Sequence, residues 1–296
     1  MNSVILVGND INNVSSGYSW SDLLSDLIKF VGAGGKFSPL KEQFPLFYEE
    51  ILAFASSSVG KSEHDVKGFI ARRVIKMPQN DLHSSFSKLP IDNNLTTNYE
   101  FSLEKGLCAK KPSVSNSGAV QEQRYSLFRK TTNDQKQFWH IHGDAQRPSS
   151  MALGYEHYAG YLQHMRNYVV DGVNYENESF KALTKRLSEN GNFQHTSWVD
   201  FFFTHDVHIV ALGLDFVEIH LWWLLTYRAR AAIKRKIETS NRIIYYCPKQ
   251  REDADQTKLR LLKGSNVEIK FFDRPNNDKN IYYCKVLRSL RKQLDS

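Results

Sequence analysis

An α/β fold, with a parallel sheet flanked by helices, is predicted by three observations. Val4-Ile5-Leu6-Val7 is a short continuous apolar run ending in Gly8, as expected of a parallel strand buried on both faces. Trp20, Leu23, Leu24, Leu27, Ile28 and Val31 then recur at helical spacing, so that strand, polar turn and helix follow in order. The pattern of a strand closed by a glycine returns twice, at Trp139-His140-Ile141-His142-Gly143-Asp144 and at Val207-His208-Ile209-Val210-Ala211-Leu212-Gly213.

Composition bounds the class. With 296 residues, 41% hydrophobic and 12% aromatic, the chain can bury a substantial core. Phe201-Phe202-Phe203 and Leu221 to Leu225 are interrupted too soon to span a membrane, and the start lacks the basic and apolar pattern of a secretory leader. A soluble, cytoplasmic protein is expected. Cys108, Cys247 and Cys284 are odd in number and far apart, against a disulfide framework or a Cys-based zinc site; Cys247 and Cys284 are expected to pack as small apolar residues. The net charge of +7 favours anionic partners, and suits a nucleotide as well as a nucleic acid, whose direct binding stays open.

Gly8-Asn9-Asp10-Ile11-Asn12 reads as the turn after the first strand, with Ser19 or Ser21 as cap of the helix that follows. In such a layout backbone N–H groups and the helix N-terminus receive phosphate, although an ordinary βα turn has the same pattern. A loop from Gly32 to Pro45 precedes helices near Phe47–Ala55 and Glu63–Met77, read as a helical insertion near 38–85. Gly34-Gly35-Lys36 lacks the preceding strand and spacing of a P-loop. Leu95 to Glu100 reads as a strand and turn leading to a helix at Ser102 to Leu107. Asn98 there can donate and accept at once, which suits a ribose hydroxyl or a water, or can simply form a turn.

Lys111 to Gln123 reads as a polar loop. Tyr125–Lys130 and Gln137–His142 are predicted to pair as a hairpin around Thr132 to Gln135. Helices are expected at Tyr155–Val170 and Glu178–Ser188, the latter ending at Asn190-Gly191-Asn192. A long helix through Trp222 to Leu225 should follow the strand ending at Gly213. Asp215 and Glu218 could accept from ribose hydroxyls, or simply favour the helix dipole. His205, Asp206 and His208 look superficially like metal ligands, with a structural role preferred. Strands at Arg242–Cys247 and Val267–Phe272, with helices at Gln256–Lys263 and Tyr282–Leu294, extend the same sheet. The basic residues Arg228, Arg230, Lys234, Arg235 and Lys236 read as a solvated face.

Four of these stretches together resemble the sirtuin-like superfamily, especially the bacterial sirtuin-like proteins of anti-phage defence, from Val4 to about Arg230. Val7-Gly8-Asn9-Asp10-Ile11-Asn12 resembles its first glycine turn, Thr96-Thr97-Asn98-Tyr99-Glu100 its T-x-N-x-[DE] stretch, and His142-Gly143 its catalytic His-Gly. Ala211-Leu212-Gly213-Leu214-Asp215 with Glu218 resembles its late glycine turn. A looser resemblance to the abortive-infection family rests on the same stretches. The resemblance implies one Rossmann-like, NAD-binding domain over 1–296. Asn98 and His142 would be catalytic at the nicotinamide ribose, with Gly8, Asn9, Asp10, Asn12, Thr97, Gly143, Gly213, Asp215 and Glu218 around the dinucleotide. Asp10 departs from the usual glycine and could repel phosphate. The four-cysteine zinc module of protein-deacylating sirtuins is missing.

The activity implied is NAD hydrolysis to nicotinamide and ADP-ribose, with NAD as substrate and no metal expected. It would serve to deplete NAD during infection, and would be regulated by assembly. A homo-oligomer is expected, with a HerA-type hexameric ATPase, a nucleic-acid-sensing Argonaute or another defence-system sensor as partner. A non-catalytic NAD or ADP-ribose sensor is the alternative; a protein deacylase and a nuclease are weaker ones.

Overall fold

In the computed structural model residues 2–14, 20–37, 44–107, 120, 122–133, 135–175, 178–189, 193–234 and 237–295 are described. Strand β1 (Ser3–Val7) passes into a 3-10 turn over Asn9–Val14, followed by helices α1 (Trp20–Phe30), α2 (Phe44–Val59), α3 (Glu63–Val74) and α4 (Asp81–Ser87). Next come β2 (Asn93–Thr96), α5 (Ser102–Leu107), β3 (Thr131–Asn133), β4 (Lys136–His140) and α6 (Tyr155–Val170). A small hairpin, β5 (Val173–Asn174) and β6 (Ser179–Phe180), precedes α7 (Leu183–Ser188), α8 (Trp198–Thr204), β7 (Asp206–Val210) and α9 (Ile219–Ile233). The chain ends with β8 (Ile243–Pro248), α10 (Gln256–Gly264), β9 (Val267–Phe272) and α11 (Lys279–Leu294). No helix among the described residues is long and apolar enough to cross a membrane.

The main sheet runs β3-β4-β2-β1-β7-β8-β9, with only β3 antiparallel. Taken in chain order, its parallel strands lie third, second, first, fourth, fifth, sixth. This is the Rossmann-like order, and its direction reverses between β1 and β7, where open sheets leave a crevice. The run Val4 to Val7 is apolar throughout because each face of β1 meets a different core. Val4 and Leu6 pack with Leu95, Trp139, Ile209 and residues of α6, α8 and α9. Ile5 and Val7 face the opposite cluster with Phe86, Leu103, Tyr283 and Val286. A third cluster joins α1, α2 and α3 to Met151 and Leu153.

Several local expectations shift. Tyr125–Lys130 is not a strand, because the buried Glu122 carboxylate accepts from the backbone N–H groups of Leu127, Phe128 and Arg129, at 2.9, 2.9 and 3.2 Å. Those donors are withdrawn from any ladder. The hairpin forms one step later, so Thr132 and Asn133 are strand rather than turn. Glu178–Ser188 is helical only from Leu183, since Ser179 and Phe180 pair with Asn174 and Val173. The strand expected to reach Gly213 stops at Val210, where Ala211 takes a φ of +57°. Phe201-Phe202-Phe203 belongs to α8, opened by a Ser197–Asp200 capping box. Cys247 is buried as expected, but Cys284 is exposed on α11. The readings at Ser19, Cys108, 111–119, 190–192, Arg235 and Lys236 lie outside the described residues.

Candidate active site

A cavity of about 520 Å³ opens at the carboxyl ends of β1, β2 and β7, the size range of small-molecule sites. Asn9, Asp10, Thr97, Asn98, His142, Gly213, Asp215 and Glu218 all line it. Segments far apart in sequence thus converge because each follows a parallel strand, and parallel strands deliver their ends to one edge of the sheet.

The exit of β2 is tied down first. Thr96 Oγ1 donates to the Val7 carbonyl at 2.8 Å and accepts from the Asn98 N–H at 3.1 Å. The Asn98 carbonyl then accepts from His140 Nδ1 at 2.7 Å, while His140 Nε2 lies 2.8 Å from Glu104 Oε1. With an acceptor at each ring nitrogen, His140 is set up to carry both protons. Burial pulls its pKa down, but the Glu104 carboxylate outweighs that and leaves it raised. So the first histidine of the β4 motif, His140, positions the Asn98 backbone rather than facing the cavity. Asn98 is 4% exposed, and neither its side-chain amide oxygen nor its amide nitrogen has a hydrogen-bond partner. A buried amide in that condition carries a desolvation cost that a ligand hydroxyl would relieve.

His142 follows β4. Its Nε2 is 3.0 Å from Nε2 of His220, and Glu218 Oε2 lies 3.1 Å away without hydrogen-bond alignment. Tyr158 meets the His142 ring edge-on, with centroids 5.6 Å apart. His220 is fully buried near the start of α9, and desolvation, with the His142 charge second, holds its pKa well below the ordinary value. Desolvation also pushes the Tyr99 and Tyr158 phenols far up, so they serve as hydrogen-bond donors rather than bases.

Gly8, Gly143 and Asn12 do not line the cavity. A Cβ on Gly8 would overlap the Ala211 carbonyl and Leu212; its absence lets the first turn dock on the late one through Gly8 N–H to Val210 O (2.9 Å) and Asp10 N–H to Ala211 O (3.0 Å). Gly143 has a φ of +84°, and a Cβ there would strike Ser150. Asn12 sits behind the wall. His83 Nδ1 accepts from the Asn80 N–H at 3.0 Å, so His83 Nε2 donates to Asn12 Oδ1 at 2.8 Å. Asn12 Nδ2 in turn donates to the cavity residues Asn9 and Glu100 at 2.8 and 2.9 Å.

This relay has a pH signature. Burial lowers the His83 pKa to about 4, below its unfolded value near 6.5. A depressed pKa contributes stability above pH 6.5 that is lost as pH falls towards 4, at most about 3 kcal/mol for this group. Urea midpoints measured from pH 7.5 to 4.5 should therefore fall with acid, and less steeply in His83→Gln; parallel slopes would refute the assignment.

Asp10 does not stand as a bare negative charge in the turn. Lys279 Nζ lies 2.7 Å from its Oδ1, and the Tyr283 hydroxyl donates to its Oδ2 at 2.6 Å. Both come from α11, and Tyr245, Arg251 and Arg274 also line the cavity. These carboxyl-terminal contributions, and His220, were missed in the sequence. His220 had one signal, its place two residues after Glu218 at a strand exit; the basic residues of the tail had none.

Residues 92–198 match the family model of the SIR2-like domain. Over that stretch, about a third of the chain, the sequence is similar to the SIR2-like domain. The matched segment carries Asn98, His142 and Gly143, while the two glycine turns lie outside it. No curated protein matches the chain. The likeness points to NAD-related activity, and the unpartnered amide of Asn98 shares the cavity with the basic residues Arg251, Arg274 and Lys279.

Proposed function

We propose that this Sir2-like cavity hydrolyses the bond between nicotinamide and ribose in NAD, giving nicotinamide and ADP-ribose. The observation that carries the reading is the buried, unpartnered amide of Asn98 sharing one cavity with His142 at the switch point of the sheet. Nicotinamide leaves from a cationic nitrogen, so bond cleavage needs little acid help and passes through an oxocarbenium-like state, as in glycoside hydrolysis. Water adds its oxygen to the anomeric carbon; its proton goes to the His142 imidazole and then to solvent. Asn98 orients the ribose or that water. Arg251, Arg274 and Lys279 favour the diphosphate, and Asp215 suits a ribose hydroxyl.

On this reading the chain acts in defence by depleting NAD, is held in check by assembly as a homo-oligomer, and answers to a partner such as a HerA-type hexameric ATPase or another sensor. The whole chain, 1–296, works as one domain with the α2–α4 region inserted. Purified protein incubated with NAD, with and without such partners, should release nicotinamide and ADP-ribose in equal amounts. Binding of NAD without turnover in every condition would make it a sensor instead. Nicotinamide release that requires an acylated peptide would make it a deacylase.

A further inference from the structure

We infer that His142, Glu218 and His220 form a binding site for a divalent transition-metal ion of the zinc class, and that an ion held there takes His142 out of NAD cleavage. The site itself rests on side-chain geometry; its inhibitory consequence rests on the proposed function.

The three ligand atoms stand 3.0, 3.1 and 4.0 Å apart, an average of about 3.4 Å. A tetrahedral zinc with bonds of about 2.0–2.1 Å has edges between ligand atoms of about 3.3–3.4 Å. An ion can therefore cap this triangle with shifts of a few tenths of an ångström. Without one the hydrogen bonding is incomplete. Two facing Nε2 atoms share at most one proton, Glu218 Oε2 has no aligned donor, and Nδ1 of His220, on a fully buried ring, has no partner. Three lone pairs converging on one point is what a cation satisfies and a single proton does not.

The donor set narrows the ion. Two imidazoles and one carboxylate suit zinc, cobalt or nickel and disfavour magnesium and calcium, which take oxygen. The ligands also sit on rigid supports. His142 follows β4, and His220 lies in the first turn of α9 with its ring against Tyr158 and Tyr161 at 5.6 and 5.2 Å. His142 and Glu218 face the cavity, so a fourth position would open towards bound substrate or water. A metal bonded to His142 Nε2 uses the lone pair that would otherwise accept a proton, and places a positive charge where the cationic nicotinamide ribose must lie.

The test uses the full chain stripped with chelator, titrated with Zn²⁺ by calorimetry and with Co²⁺ by visible absorption. Wild type should bind one ion per chain and show the d–d bands of low-coordinate cobalt. Glu218→Gln and His220→Ala should each weaken binding by at least about a hundredfold, since losing even an outer-shell partner costs about 10–100-fold. Circular dichroism checks folding; should the buried His220→Ala variant fail to fold, Glu218→Gln decides. No stoichiometric binding in wild type, or unchanged affinity in Glu218→Gln, overturns the site. Saturating Zn²⁺ should suppress NAD turnover and a chelator should restore it; turnover unchanged or raised at saturation overturns the inhibitory half. A stripped chain with no NAD turnover removes that half together with the NAD reading, while calorimetry still decides the site.

Discussion

Asn98→Ala and His142→Ala should each lower NAD turnover by roughly 10²–10⁴-fold, the usual contribution of a positioned acid–base or orienting group. The two should differ in kind. Asn98→Ala removes an amide whose polar atoms have no protein partner, so the fold loses little and the variant should unfold at nearly the wild-type urea concentration. His142→Ala also removes the neighbour of His220 and Glu218, and should shift both stability and turnover. Stopped assays that quantify nicotinamide and ADP-ribose, run beside urea titrations, separate these effects. Retention of more than about a tenth of wild-type turnover in a folded Asn98→Ala variant would remove Asn98 from the chemistry.

Asp144→Ala should destabilise the protein by about 3–5 kcal/mol, the usual cost of breaking a buried ion pair by deleting one partner. Asp144 follows the His-Gly turn and pairs with Arg129, both side chains being nearly inaccessible. Its Oδ1 also accepts from the N–H groups of Gln146 and Arg147 at 2.9 and 3.1 Å, which closes the turn that presents His142. Arg129 has no partner at Nε or Nη1, and burial already lowers its pKa to about 10. Alanine at 144 therefore strands a buried cation. The double variant Arg129→Met, Asp144→Ala should recover part of the loss, because an apolar pair removes the stranded charge. A urea midpoint for Asp144→Ala within about 1 kcal/mol of wild type would show that the pair does not hold the turn.

The α/β class, the first strand and helix, the β2 exit and the helix Tyr155–Val170 were legible because periodicity and strand-end glycines are local signals. The hairpin before His142 was misplaced by a non-local cause, since Glu122 captures three backbone donors that the residue pattern assigns to a ladder. Asp10 was misjudged for a similar reason: in sequence it is a negative charge in a phosphate turn, in space it is compensated by Lys279 and Tyr283 from the far end of the chain.

By itself the sequence determined which segments end as parallel strands followed by polar turns, and so that Asn9, Thr97, Asn98, His142 and Gly213 should meet at one edge of a sheet. The tertiary structure alone decided which histidine of the β4 motif faces the cavity. His140 is engaged by the Asn98 carbonyl and Glu104, whereas His142 stands beside His220 and Glu218. The physical reason is that strand alternation alone would put both histidines on one face, but β4 ends at His140 and the chain turns before His142, so His140 meets Glu104 of α5 on one side of the sheet and His142 meets Tyr158 of α6 and His220 of α9 on the other.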